Sequence, residues 1–258
     1  MEVKAIFVDA AGTLLRPREP VGITYARYAR LSGHPADPVR AEARFRVALR
    51  REKGQAQVGD GFLRIRADAG GSGQNGNGVN LYRASAVQVN GNRITDCAYS
   101  AVRANAASNV MISGNGSGRI GEVALYAEFG FEGAVITNNI VDEAATGISV
   151  TNFDQGGRLA VVSGNLVRNL RRREHEVVDK RGEGIAVEAD TIVTGNTIES
   201  AATAGISIGW GRYMREVLVS SNIVRQSRIG ILVTRDLAAG PALIAQNMIS
   251  GARDGAVR

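Results

Sequence analysis

The apolar residues of this chain come in short bursts that alternate with polar positions, and the bursts return at a nearly constant interval. Seven such runs are Val87-Gln88-Val89, Val110-Met111-Ile112, Val135-Ile136-Thr137, Val161-Val162-Ser163, Ile192-Val193-Thr194, Val217-Leu218-Val219 and Leu243-Ile244-Ala245. Each stands just ahead of an asparagine: Asn92, Asn115, Asn139, Asn165, Asn196, Asn222 and Asn247. The gaps between the asparagines are 23, 24, 26, 31, 26 and 25 residues. After five of them comes a second run: Gly147-Ile148-Ser149-Val150, Gly184-Ile185-Ala186-Val187, Gly205-Ile206-Ser207-Ile208, Gly230-Ile231-Leu232-Val233 and Gly255-Ala256-Val257, with Ser100-Ala101-Val102 a weaker copy. Alternation over so few residues, rich in Val, Ile and Thr, predicts short strands, and the runs are too short for helices.

Self-similarity at a period of roughly 20–50 residues predicts a stacked repeat. A period of about 24 residues falls short of the roughly 30 that a strand-helix-strand unit takes. It does hold one coil of a parallel β-helix, with three short strands and three turns. Coils about 4.8 Å apart over six intervals give an axis of about 29 Å. The recurring asparagine is expected at a turn position of left-handed backbone, which its short amide tolerates. Its amides are expected to stack along the axis as a ladder. The glycine that often precedes it is expected to let the chain bend tightly.

These repeated runs resemble the right-handed parallel β-helix repeats of the pectate-lyase-like superfamily, over residues 58–258. They are most similar there to exported repeat proteins of unknown function that carry a twin-arginine signal. The resemblance implies a mainly β fold, a right-handed single-stranded parallel β-helix of about seven coils, preceded by a short N-terminal α/β or helical segment. It also implies where chemistry would sit. Enzymes of this architecture bind extended polysaccharides along an outer face, in a groove bordered by loops that leave the coils.

Loop length then locates candidates. The 31-residue gap holds the largest insertion, from Asn169 to Glu183, with His175, Asp179, Lys180 and Arg181. Neighbouring coils add Phe153-Asp154, Trp210, Tyr213, Arg215 and Arg235-Asp236. A lyase needs a base for the proton next to a uronate carboxylate and a cation to neutralise that carboxylate. Lys180 fits the base and Arg181 or Arg215 the neutraliser, while Asp154 or Asp179 would hold Ca²⁺. Trp210, Tyr213 and Arg235 would line the substrate. A hydrolase would instead need two or three carboxylates on neighbouring coils, for which Asp154 and Asp179 are available. The stretch around Tyr126, Glu128, Phe129 and Glu132 reads equally as a site or as a solvated loop. A non-catalytic structural or binding repeat protein is the alternative reading throughout.

Composition divides the chain near residue 57. Residues 1–57 hold four of the five prolines, four of the 32 glycines and no asparagine. They carry eleven Lys/Arg against six Asp/Glu, whereas residues 58–258 carry twenty against nineteen. The formal net charge of +6 is therefore mostly N-terminal. Those basic residues lack interleaved aromatics for stacking bases, so a solvated helix face is expected rather than a nucleic-acid surface. Cys97 is the single cysteine, which excludes an internal disulfide, and two histidines, His34 and His175, argue against a zinc site. No apolar run approaches the roughly 18 residues of a membrane span. No signal peptide opens the chain. Since the exported relatives carry one, a cytoplasmic protein or a lost start is expected.

The first segment has its own motif. Val3-Lys4-Ala5-Ile6-Phe7-Val8 is strand-like and runs into Asp9-Ala10-Ala11-Gly12-Thr13-Leu14-Leu15. This resembles the first motif of the haloacid dehalogenase superfamily, over about 55 residues. The resemblance implies Asp9 as nucleophile, with Mg²⁺ between it and a transferred phosphoryl group. Ala11 stands where phosphatases of that family have a second Asp, and no later motif of the family follows in order. Helix-like text at 21–32 and 38–53 reads as a cap over the open end of the repeat. Equally, residues 1–57 read as a fragment of separate origin. The Gly- and Asn-rich stretch from Ala67 to Gly78 is expected to be a linker or the wide turn of a first coil. At the other end, Gly255-Ala256-Val257-Arg258 predicts an exposed edge, and hence either further residues downstream or end-to-end self-association.

Overall fold

A computed structural model of the chain describes residues 21–31, 33, 36–43, 58–59, 62–67, 76–152, 157–172 and 182–258. Asp9, Asp154, His175, Asp179, Lys180 and Arg181 lie outside the described residues, as does His34. The N-terminal segment shows a helix, Val21–Leu31, and a helical stretch at 38–43. Asp37 caps the second by accepting bonds from the Val39 and Arg40 N–H groups at 2.7 and 3.1 Å, and Pro38 occupies the first helical position.

From residue 76 onward the chain winds as a parallel β-helix with three faces. The first face stacks Gln88–Asn90, Val110–Ser113, Glu132–Thr137, Arg158–Ser163, Thr191–Thr194, Val217–Ser220 and Ala242–Ala245. Each coil then passes its asparagine and continues on the second face, for example through Arg93–Cys97, Leu166–Leu170, Thr197–Ala201 and Ile223–Arg225. The third face holds Val79–Tyr82, Val102–Asn105, Glu183–Val187, Ala204–Ile208 and Ile229–Val233. Two long strands, Gly116–Glu128 and Ile140–Thr151, run across the corner between the second and third faces. They join those faces into one sheet.

The parallel register sets the core, because a residue facing inward in one coil faces inward in the next. Val89, Ile112, Ile136, Val162, Val193 and Val219 form the buried column of the first face. Val102, Leu125, Ile148, Ile185, Ile206 and Ile231 form that of the third, each fully buried. The second face contributes Ile94, Val141, Val167, Ile198 and Val224.

The asparagines form the expected ladder. Each Nδ2–H donates to Oδ1 of the next coil's asparagine, at 2.9 to 3.0 Å from Asn92 through to Asn247. The same Oδ1 accepts the backbone N–H of the preceding asparagine. The second Nδ2 proton goes back to a first-face carbonyl, as from Asn165 to Ile136 O at 3.0 Å. Asn115, Asn139, Asn165, Asn196 and Asn222 are buried, and this geometry pairs both ends of each amide.

The conformational reason expected for these asparagines needs correction. None of the seven has left-handed backbone. The residue just before each one does: Gly91, Gly114, Asn138, Gly164, Gly195, Ser221 and Gln246, with φ between 55° and 67°. The turn therefore divides its two demands between neighbours. One residue supplies the left-handed bend and the next turns its amide inward.

Candidate functional site

A groove of about 420 Å³ runs along the outside of the third face. It crosses four successive strands, from Gly116–Glu128 to Ala204–Ile208. Three coil steps make this span about 14 Å. Tyr126 lies at one end and Trp210 at the other. Between them are Thr146, Ser149, Thr151, Ala186 and Ser207, with Glu122 and Glu183 along one edge and Glu188 along the other.

The register explains why these residues meet. Tyr126, Ser149, Ala186 and Ser207 occupy one outward column, each paired with the next across the parallel ladder. Thr146 and Glu183 share the column nearer the second-face corner. Glu122 arrives there by a bulge: Ala144 pairs with Ile120 and Thr146 with Val123, so one coil spends two residues where its neighbour spends one. A bulge re-aims a side chain, and the residue beside the bulge must be small. A Cβ on Gly121 would overlap the Ala98 carbonyl.

Two loop stems flank the groove. On the corner side, the Arg171 and Gly182 N–H groups donate to the adjacent carbonyls of Ala144 and Ala145, both at 2.9 Å. The coil thus continues as though residues 172–181 were absent, which accounts for the 31-residue gap. On the other side, Asn152 Nδ2 donates to the Gly157 carbonyl, joining the two described residues on either side of 153–156. The Asn152 N–H donates to Glu188 Oε2 at 2.7 Å and ties that stem to the groove wall.

Tyr126 is held at the N-terminal end. Its hydroxyl is within hydrogen-bonding distance of Thr151 Oγ1, at 3.4 Å, and its ring lies beneath the Arg103 guanidinium, 5.5 Å from the centroid. Burial pushes the Tyr126 phenol well above the usual tyrosine value, so it stays protonated and able to donate at neutral pH. Arg103 is itself committed. Its Nε and Nη2 donate to the buried carboxylate of Glu128 at 2.5 and 3.1 Å, and Asn105 Nδ2 adds a third bond at 2.6 Å.

Of the residues expected from sequence, Trp210 lines the groove. Tyr213 sits in the short 3-10 turn Gly211–Tyr213 that follows it, and it is not among the lining residues. Arg215 is placed elsewhere, at the turn leading to the first face, where it donates to Asp190 Oδ2 at 2.6 Å. Arg235 is exposed beyond the end of Ile229–Val233, away from the groove lining. Of the ambiguous stretch, Tyr126 enters the groove, Glu128 binds Arg103, and Glu132 pairs with Arg158 at 2.6 Å. Sequence reasoning missed Glu122, Glu188, Ser149 and Ser207, whose meeting depends on register across coils of unequal length. Among the described residues, no three His, Cys, Asp or Glu side chains converge as a metal site. Nor is any described helix long and apolar enough to cross a membrane.

Residues 69–188 match the family model of the right handed beta helix region. No curated protein matches the chain. The match covers somewhat less than half of the chain and agrees with the parallel β-helix that the stacked sheets form.

Proposed function

We propose that this protein binds an extended polysaccharide along the third face. The carrying observation is the groove itself, with an aromatic side chain at each end and a line of hydroxyls between them. Aromatic rings give sugar rings a flat apolar platform, while hydroxyls and carboxylates match the ring hydroxyls. The superfamily resemblance supports the same choice by analogy of fold, which on its own says little about chemistry.

Cleavage is the finer part of the reading. The basic insertion joins the groove directly in sequence, since Arg181 stands two residues ahead of the groove residue Glu183. That connection favours an acidic polysaccharide and a lyase, with Lys180 as base and Arg181 as neutraliser. Between the two candidate neutralisers we favour Arg181, since Arg215 donates to Asp190 and is not among the groove-lining residues. Calcium in this reading depends on Asp154 and Asp179. The non-catalytic reading keeps the same groove and removes only the chemistry.

The test is a panel of uronic-acid and neutral polysaccharides offered to the whole chain, with and without Ca²⁺, scored for binding and for absorbance of the unsaturated product. Binding together with an absorbance rise lost in Lys180→Ala establishes the lyase. Binding without the rise leaves a carbohydrate-binding repeat protein. No binding by any polymer overturns the proposal.

A further inference from the structure

One buried hydroxyl in the groove has no hydrogen-bond partner among the described residues. The Ser207 side chain is only 8 % exposed, lines the groove, and its Oγ makes no hydrogen bond to any described residue. Other groove hydroxyls are within reach of one another, Ser149 Oγ at 3.3 Å from Thr151 Oγ1 and Thr151 Oγ1 at 3.4 Å from the Tyr126 hydroxyl. A buried hydroxyl without a partner is destabilising, and native proteins carry few of them. Burying one inside a groove is explained when a ligand group completes it.

The surroundings say what kind of group. In the outward column Ser207 follows Ala186, whose small side chain leaves room beside the hydroxyl. Three residues on, after Gly209, Trp210 stands at the end of the groove with 40 % of its surface exposed. Gly209 has φ of 92°, a left-handed conformation in which a side chain would be strained, and a Cβ there would press on Thr234 and Met214. The bend at Gly209 therefore carries the chain from the strand to the indole without a side chain between them.

We infer that Ser207 and Trp210 form one sugar subsite, in which a pyranose ring stacks on the indole and Ser207 Oγ hydrogen-bonds a ring hydroxyl. Ser207 is then a specificity-determining residue, since it reads a hydroxyl while the stacking accepts any ring face. This inference rests on the polysaccharide reading above and sharpens it to particular atoms.

The test is calorimetric titration of the full chain with cellohexaose, chitohexaose and hexagalacturonate, comparing the wild type with Ser207→Ala, Ser207→Thr and Trp210→Ala. For whichever hexamer binds, Ser207→Ala is expected to weaken binding about tenfold, the loss of one buried hydrogen bond. Its melting temperature should stay at or slightly above that of the wild type, because the orphan hydroxyl is gone. Ser207→Thr keeps a hydroxyl and should retain most of the affinity, while Trp210→Ala should lose at least as much as Ser207→Ala. A hexamer that binds the wild type and Ser207→Ala equally overturns the subsite and leaves the polysaccharide reading intact. Failure of all three hexamers to bind the wild type overturns both. The hexamer that binds also shows whether the ring carries a carboxylate, an acetamide or neither.

Discussion

Asn165 shows how much one side chain supports here. Its Oδ1 accepts from the backbone N–H and Nδ2 of Asn139, and its Nδ2 donates to Asn196 Oδ1 and to the Ile136 carbonyl. Replacing it by alanine leaves two Asn139 donors, the backbone N–H and one Nδ2 proton, without their acceptor in a buried turn, and removes a bond to the Ile136 oxygen. At roughly 1–3 kcal/mol for each such orphan, Asn165→Ala should cost about 3 kcal/mol or more. Asn92 begins the ladder in a partly exposed position, and Asn92→Ala should cost about 1 kcal/mol. Urea unfolding midpoints compare the two, and equal losses would contradict an energetic role for the buried ladder. The asparagines were legible in the sequence because their side-chain chemistry has no substitute. The left-handed bend was assigned one residue too late. That job can be done by Gly, Asn, Ser or Gln, and a position shared among four residue types leaves a fainter mark than one held by a single type.

At the scale of the strand, the runs that open Gly-Ile gain an explanation that periodicity did not supply. Gly147, Gly184, Gly205 and Gly230 lie one above another where the third face begins. A Cβ on Gly184 would overlap the Gly205 carbonyl and meet Ile198 Cγ2 at 2.5 Å, and the others are crowded in the same way. None of these four has positive φ, so the demand is for space between coils and not for a special backbone angle. Gly184→Ala should therefore destabilise by at least about 2 kcal/mol through overpacking. Gly116→Ala, with nothing within 4 Å of its Cβ position, should change stability by less than about 0.5 kcal/mol. Thermal melts of the two variants decide the matter, and a well-tolerated Gly184→Ala would mean that the coils can move apart. The groove was less legible at this scale. Trp210 announced itself as a lone tryptophan after a strand. Glu122, Glu188 and Ser207 are ordinary residues until a bulge at Gly121-Glu122 and an insertion of unequal length are resolved into columns.

Across the whole molecule, successive coils are pinned by ion pairs on the outside as well as by apolar columns within. Arg119 binds Asp96, Arg168 binds Asp142, Arg225 binds Glu199 and Arg228 binds Asp254, each joining neighbouring coils at 2.6 to 3.0 Å. For Asp142, partial burial alone would raise the carboxyl, but hydrogen bonds from Asn169 and Arg168 outweigh it and hold the group below its ordinary value of 3.8. For Asp254, the hydrogen bond from Arg228 lowers it, also from 3.8. A carboxyl depressed in the folded state adds stability that is fully present above the unfolded value and is lost as pH falls through the folded value. The melting temperature should thus hold steady from neutral pH to about pH 5 and drop by a few degrees below about pH 4, with the drop smaller at high salt because the pairs are exposed. A flat profile down to pH 3 would remove these pairs from the account of stability. The repeat architecture was legible from end to end because every coil must restate the same pattern to stack on its neighbour.

The ladder also governs how the protein ages. Asn115 is followed by Gly116, a pairing in which the next backbone nitrogen reaches the side-chain carbonyl most easily and converts the amide to an acid. In the folded coil that carbonyl accepts two bonds from Asn92, while the amide nitrogen donates to Val89 and Asn139, so the ring-closing approach is blocked. An unfolded chain has no such restraint. Once the amide becomes a carboxylate, it faces the Asn139 oxygen with no proton to offer, and the rung cannot be remade. Asn75, Asn77 and Asn90 are also followed by glycine, but of the four only Asn115 is a rung of the ladder. Each excursion from the native state then risks a permanent scar at that rung, and the fold acts as its preservative.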